Sequence, residues 1–409
     1  MSETIPAGWH KCQLVDICKV VTGKTPSKSI KEYFGGNILF VKPPDLDKDI
    51  FITTSQDTLS EYGFKKAVYL PKYSILVSCI GNLGKKGILL EEGSCNQQIN
   101  AILPNDSVYY KYIYYYIDII KSWMEENSSA TTVAILNKSK FEKAPIIFPH
   151  LEEQQAIVSK IESEFEKIDL AIAKLENTLE LLEKYKQSIL KYAFDENSPF
   201  AKGNDYIPYE WEKTEIKNIS KSIEYGYTTS TIKDNTGTQL LRITDIKDNY
   251  VNWEEVLYCK VENDKKEKYL LKNGDLLFAR TGATVGKSYL IDNLLDNQEI
   301  MYASYLIRIR FNENYCNRYY IKYFFQSNDY WEQIHSNKIG IAQPNVNGTK
   351  LGKIRLKLPD LKLQETIAKN IQKYFKNNDK LKNIALENIQ KLKQLKQTIL
   401  KKAFSGELI

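Results

Sequence analysis

The residues of this 409-residue chain best placed to do chemistry lie in glycine-rich loops that also carry hydroxyls and cations. Gly282-Ala283-Thr284-Val285-Gly286-Lys287-Ser288 comes near a nucleotide-binding P-loop, but three residues separate its glycines where that motif needs four. No apolar strand ending in Asp follows to hold magnesium. Pro43-Pro44 carries the double proline of an adenine-N6 methyltransferase motif, yet Lys42 and Asp45 flank it where an acceptor and an aromatic must hold a flipped base. No G-x-G cofactor loop follows an early strand, no (D/E)-x-K follows Pro44-Asp45 or Pro359-Asp360 at a suitable distance, and no G-x-S-x-G elbow or Cys/His pairing stands out. The chain reads as non-catalytic, with no catalytic or metal-binding residue of its own.

The histidines His10, His150 and His335 and the cysteines Cys12, Cys18, Cys79, Cys95, Cys259 and Cys316 are scattered, with no C-x-x-C pair. That argues against a zinc site and a disulfide framework, and makes reduced, partly buried thiols the expectation.

What the loops can do is meet an anion. Gly23-Lys24-Thr25-Pro26-Ser27 aligns with Gly226-Tyr227-Thr228-Thr229-Ser230 at an offset of 203, and small hydroxyl residues beside glycine suit phosphates and base edges. An ordinary loop with hydroxyl caps explains one such segment better than its repetition. Gly81-Asn82-Leu83-Gly84-Lys85-Lys86 and Arg280-Thr281-Gly282-Ala283-Thr284-Val285-Gly286-Lys287 each follow an apolar strand, and glycines with cations cradle anions. With no nucleotide motif, DNA phosphate is the expected anion. The candidate DNA-binding residues are Lys24, Thr25, Ser27, Lys42, Asn82, Lys85, Lys86, Gln97 and Gln98 in the first half. In the second they are Tyr227, Thr228, Thr229, Ser230, Arg242, Arg280, Thr281, Thr284 and Lys287.

Every arginine (Arg242, Arg280, Arg308, Arg310, Arg318, Arg355) lies in the second half. Arginine is the commonest bidentate reader of guanine, whereas Asn and Gln suit adenine. The first half must therefore read with Lys, Asn, Gln, Ser or Thr. Its Asn96-Gln97-Gln98 run is either a reader or a turn with amide caps.

These loops sit on a duplicated frame. Ile5-Pro6 and Trp9 return as Ile207-Pro208 and Trp211, Asp45 as Asp245, Tyr69-Leu70-x-Lys72 as Tyr269-Leu270-x-Lys272, and Trp123 as Trp331. From Leu136-Asn137 to Ala193-Phe194 the offset holds at 210 without a gap, and smaller drifts elsewhere are what loop insertions produce. Each copy ends in a helix. Val158, Ile161, Phe165, Ile168, Ile172, Leu175, Leu179, Leu182 and Ile189 alternate steps of three and four, an a/d seam that a breaker cluster stops at 195–199. The helix would run about 65 Å at ~1.5 Å per residue. The second seam uses Ile371, Phe375, Ala385, Ile389, Leu392 and Ile399, interrupted by Asn378 and Lys382. Either the helix frays there or buried polar residues fix its register.

The first helix carries nine acids and six lysines, the second ten lysines and three acids, so the two favour each other over self-pairing. A solvated basic face or phosphate contact would also suit the second. Antiparallel pairing lets the short 195–206 connection hand the chain to the second domain, and its pseudo-two-fold symmetry matches that of DNA backbones.

The net charge of +6 permits nucleic-acid binding without proving it, and codon bias in a low-GC genome accounts for much of the Lys, Asn, Ile and Tyr. No apolar run approaches the ~18–20 residues of a membrane span, and Met1 to Gly8 lack a leader pattern, so a cytoplasmic location is expected.

The stretches GKTPS, LRITDI and ARTGATVGK, and the paired endings KQSILKYAF and KQTILKKAFSGEL, resemble Type I restriction–modification specificity subunits, as does the order domain–helix–domain–helix. The resemblance implies an α+β chain with two globular α/β target-recognition domains, 1–150 and 199–359. Each is followed by a long helix, 151–198 and 360–409, and the two helices form an antiparallel coiled coil. It implies that each domain reads one half of a split site on double-stranded DNA. The helices would set the spacing and dock two methyltransferase subunits, which carry S-adenosylmethionine. A motor–nuclease subunit, using ATP and Mg, would join for restriction, and this chain would hold no cofactor. One departure is that Gly81-Asn82-Leu83-Gly84 lacks the Arg-Thr-Gly-Ala-Thr of the second copy. The residues by themselves also leave open a coiled-coil scaffold that binds only protein partners.

Overall fold

Short apolar runs bounded by glycine, proline and asparagine become strands in both halves of the chain. The computed structural model describes residues 5–129, 133–195, 200, 211–247, 250–295, 298–336 and 346–408. Ile207-Pro208 and most of the breaker cluster, 196–199, lie outside the described residues. The chain forms two compact units, Met1–Leu175 with Leu386–Ile409, and Glu176–Ala385.

In the first unit, strands β1 (Cys18–Thr22), β2 (Phe34–Val41), β3 (Phe51–Ile52), β4 (Asp57–Leu59), β5 (Ile75–Ser78), β6 (Lys86–Leu89), β7 (Gly93–Cys95) and β8 (Ile99–Pro104) build two sheets. The larger has the order β1-β8-β5-β6-β3 and the smaller β4-β2-β7, with β7 parallel to β2. Ile75, Leu76 and Val77 are wholly buried because both faces of β5 are covered. Helix α1 (Tyr110–Ile119) packs Tyr112, Ile113 and Tyr116 against Ile75, Val77 and Ile102.

The second unit repeats this plan. Strands β9 (Ser220–Tyr225), β10 (Thr231–Ile232), β11 (Thr238–Leu241), β12 (Tyr258–Cys259), β13 (Leu276–Ala279), β14 (Ser288–Leu290), β15 (Glu299–Tyr302) and β16 (Leu306–Phe311) form sheets ordered β9-β16-β13-β14 and β10-β12-β11-β15. Here β15 runs parallel to β11, as β7 does to β2. Helix α3 (Arg318–Phe324) takes the place of α1.

The long helices, α2 (Leu151–Ala193) and α4 (Leu361–Phe404), begin in the same way. Gln154 is fully buried; its amide donates to the carbonyls of Pro149 (2.9 Å) and Ser107 (3.2 Å) and accepts from the Tyr109 N–H (2.9 Å). Gln364 donates to Pro359 (2.7 Å) and Tyr315 (3.0 Å) and accepts from Asn317 (2.8 Å). One glutamine thus ties each helix start to its domain, satisfying peptide groups that burial would otherwise orphan.

The helix ends do something the order of blocks along the sequence does not suggest. Phe404 stands edge-on to Tyr112 and Tyr116, both at 5.0 Å, inside the first unit. Phe194 meets Tyr320 (5.1 Å) and Phe324 (5.8 Å) inside the second. Each domain core is therefore closed by the last turn of the helix that does not follow it. In the second unit Glu183 pairs with Lys382 (2.8 Å) and Lys186 with Asp379 (2.6 Å), so partner numbers fall as residue numbers rise and the helices run antiparallel. In the first unit Asp169 pairs with Lys396 (2.5 Å), whose ammonium also lies over Phe165.

Helix α4 is unbroken at the interrupted seam, so it does not fray there. Asn378 is 2% exposed and donates to the Leu182 carbonyl at 2.9 Å, while Lys382 reaches outward to Glu183. Of the two readings of the interruption, a buried polar group that fixes register is the one the geometry supports. Among the described residues no helix is long and apolar enough to cross a membrane.

All six cysteines are free, and burial pushes the thiols of Cys18, Cys79 and Cys316 up to about 12 and that of Cys12, beside Asp16, to about 11. Thiolate is the reactive form. Native protein at pH 8 should therefore take up maleimide far more slowly than unfolded protein, as read by intact mass. Labelling of Cys18 or Cys79 at the rate of a free thiol would contradict this.

Candidate nucleic-acid interface

In each domain three loops meet at one residue, and the ties between them are peptide hydrogen bonds. In the first, the Cys79 N–H donates to the Gln98 carbonyl (2.9 Å) and its carbonyl accepts from Leu136 (2.9 Å). In the second, the Arg280 N–H donates to Tyr305 (3.0 Å) and its carbonyl accepts from Val346 (3.1 Å). Cys79 and Arg280 are thus structural equivalents.

The glycine loops follow from that junction. The N–H of Gly84 returns to Ser78 (3.0 Å) and that of Gly286 to Ala279 (2.9 Å). Gly81 and Gly282, with φ of 79° and 80°, make the turn that a side chain would strain. Ser78 donates its N–H to the Lys85 carbonyl and Ala279 donates to Lys287, so Lys85 corresponds to Lys287. Thr281 and Thr284 are half-exposed on the second loop, and Asn82 is exposed on the first.

The hydroxyl loops close against the same junction. Gly23 and Gly226 sit where a Cβ would fall 2.1 Å from the Asn96 carbonyl oxygen and 2.3 Å from that of Ala303, so only glycine lets the strands meet. The N–H groups of Lys24 and Tyr227 donate to Cys95 (3.0 Å) and Tyr302 (2.8 Å). The Thr25 hydroxyl donates to the exposed Gln97 side chain at 2.6 Å, while Gln98 accepts from Asn96 at 2.9 Å. The Asn96-Gln97-Gln98 run is therefore a turn with an amide cap that also exposes one amide. Lys24, Ser27, Thr228 and Ser230 are exposed and Thr229 half-exposed, whereas Tyr227 leans on Tyr269.

The cations differ in their commitments. Lys85 and Lys287 have no carboxylate partner among the described residues. Lys42 pairs with Asp57, and Arg242 closes on Asp245 at 2.7 and 3.1 Å, each at the start of a matching short turn. Lys86 turns inward. It is 5% exposed, donates to the Tyr114 carbonyl (2.7 Å), pairs with Asp118 (2.6 Å) and lies over the Tyr114 ring. Burial pulls its ammonium below the ordinary lysine value, and Asp118 opposes that shift. It leaves no ammonium for a phosphate, and Ser288 occupies the matching place in the second domain. Lys86→Met should cost about 1–3 kcal/mol of stability, from leaving polar partners unpaired, and should leave the salt dependence of DNA binding unchanged. A reduced salt slope would return Lys86 to the interface.

Tyr225 and Tyr305 also belong to this cluster, at 41% and 62% exposed, although the loop motifs do not include them. The turn holding Ser304-Tyr305 matches Gln97-Gln98 in hydrogen bonding but shares no residue with it, so no residue pattern marks it.

The chain matches the family profile described as "Type I restriction modification DNA specificity domain" twice, over residues 6–181 and 208–397. It is 24% identical over 418 residues to the Type I restriction enzyme MjaVIII specificity subunit of Methanocaldococcus jannaschii, covering 99% of this chain and 94% of that one. With the HindI specificity subunit of Haemophilus influenzae identity reaches 36% over 168 residues, 40% of this chain and 37% of that one. A solved chain described under "Structural basis underlying complex assembly and conformational transition of the type I R-M system" shares the fold, with a TM-score of 0.80, 19% identity and 99% of both chains covered. The HsdS subunit from Thermoanaerobacter tengcongensis does so at a TM-score of 0.58 and 18% identity, again over 99% of both chains. Duplicated profile, duplicated junctions and paired long helices agree: the chain belongs to the Type I restriction–modification DNA specificity family, as a two-domain DNA-recognition subunit rather than a catalytic one.

Proposed function

We propose that each domain reads one half of a bipartite target on double-stranded DNA, and that the long helices dock two methyltransferase subunits and, for restriction, a motor–nuclease subunit. The observation that carries this is the duplicated junction. In each copy a glycine loop, a hydroxyl loop and an amide or tyrosine turn are tied together, and an uncommitted lysine, Lys85 or Lys287, stands at the rim. A half-exposed side chain at the junction, as Arg280 is in the second domain, suits a base edge, and a mobile ammonium at the rim suits a phosphate. Exposed apolar residues on the helices, among them Leu170, Leu181, Leu381 and Leu395, support docking of protein partners. S-adenosylmethionine, ATP and Mg would belong to those partners. Such a role would place the chain in the cytoplasm.

Lys287→Ala should weaken binding to every sequence alike and lower the slope of log affinity against log salt by about one ion. Gel shifts across a salt series measure both. Inserting seven residues after Leu175 and after Ala385 adds roughly 10 Å of helix at ~1.5 Å per residue, about three base pairs at ~3.4 Å each. Methylation mapping should then find both half-site sequences kept and their separation widened. Loss of both sequences in a folded variant would sink the bipartite reading.

A further inference from the structure

We infer that Arg280 reads a guanine in the half-site of the second domain, held for that purpose by Tyr225, and that the first domain lacks this device. The inference rests on the DNA-reading proposal above. Arg242, Arg308 and Arg310 are closed by Asp245, Glu224 and Asp275. Arg280 has no carboxylate partner among the described residues, and its guanidinium carbon lies 5.1 Å from the centre of the Tyr225 ring. Its Nε is buried without a hydrogen-bond partner, although the residue as a whole is half-exposed.

The backbone beneath it is held from two sides, by Tyr305 and Val346. The platform is held too. Tyr225 ends β9 in register with Ile307, and its hydroxyl accepts the Gly348 N–H at 3.0 Å. Backbone and plane are thus set before any ligand arrives. With Nε out of water, the fork left to a ligand is the pair of terminal nitrogens, which matches O6 and N7 of guanine in the major groove. A phosphate needs no such fixed plane, and Lys287 at the rim already suits one. A dry, unpaired Nε is costly to keep, which fits a side chain held for its far end. Cys79 occupies the equivalent position in the first domain and is 3% exposed, with no donor to replace the fork. That domain offers Thr25 and Gln97 instead.

The test is selection from a pool of randomised duplex DNA by the full-length chain, as wild type and as R280A, R280K, Y225F and Y225L, with thermal melts to verify folding. Wild type should enrich a split motif with a guanine in one half. R280A should reduce the preference for that guanine by about tenfold to a hundredfold and leave every other position unchanged. R280K should keep overall affinity and lose the guanine preference, because an ammonium cannot pair bidentately. Y225F, which keeps the ring, should retain the preference, and Y225L should lose it in part. An unchanged motif with R280A, or an equal loss over all sequences, overturns the guanine reading alone. A wild-type chain that enriches nothing overturns the DNA-reading proposal, and this inference with it.

Discussion

Replacing Phe404 with alanine is expected to cost the first unit about 3–5 kcal/mol, the range for removing a buried phenyl from a packed core, while the second unit holds. Phe404 is 6% exposed and makes edge-to-face contacts with Tyr112 and Tyr116, so the loss leaves a cavity between two rings that cannot close it. Phe194→Ala should do the reverse, through Tyr320 and Phe324. Hydrogen exchange followed by mass spectrometry separates the two. Protection should fall around residues 110–119 in the first variant and around 318–324 in the second. If each substitution weakened the domain that directly precedes its helix, the assignment of helix ends to cores would be wrong.

Gly226→Ala should be the most damaging single-methyl change in the second domain. The new Cβ would lie 2.3 and 2.4 Å from the carbonyl oxygens of Ala303 and Tyr302, and those are backbone atoms that no rotamer can move aside. The N–H bonds from Gly226 to Leu306 (3.1 Å) and from Tyr227 to Tyr302 (2.8 Å) must stretch or break. Overpacking costs about 1–3 kcal/mol, and the upper part of that range applies where the main chain has to shift. Discrimination in one half-site should be lost with it, the other half-site staying intact. Gly23→Ala should mirror this in the first domain, against Asn96 and Cys95. Selection from random duplex DNA, beside a melting curve, reads both effects. Wild-type discrimination by a folded Gly226→Ala variant would show that the hydroxyl loop takes no part in reading.

The frame was legible because its signals are long and repeated. A seam sustained from Val158 to Ile189, and endings shared by Ala193-Phe194 and Ala403-Phe404, survive loop drift. The shared endings even held the clue to the sealing of the cores, but sequence order favours the neighbouring domain and conceals it. Lys86 escaped for a different reason. Next to Lys85 it looks like a second free cation, yet the two-residue period of a strand puts it on the face of Ile88, which is buried in the core. The strand that buries it was legible in the apolar run Ile88-Leu89-Leu90. Tyr225 and the Ser304-Tyr305 turn were not, because their place is set by peptide hydrogen bonds between distant segments, which leave no residue pattern to match.

The peptide bonding of that junction has a consequence for how such a protein changes its target. Neither Cys79 nor Arg280 contributes its side chain to the peptide hydrogen bonds that hold the three loops, although the Cys79 thiol is buried in the first core. A cysteine and an arginine already occupy it within one chain, on matching frames. If Arg280 reads DNA as proposed, retargeting the second domain at this position asks for a change of one side chain and leaves those peptide hydrogen bonds as they are.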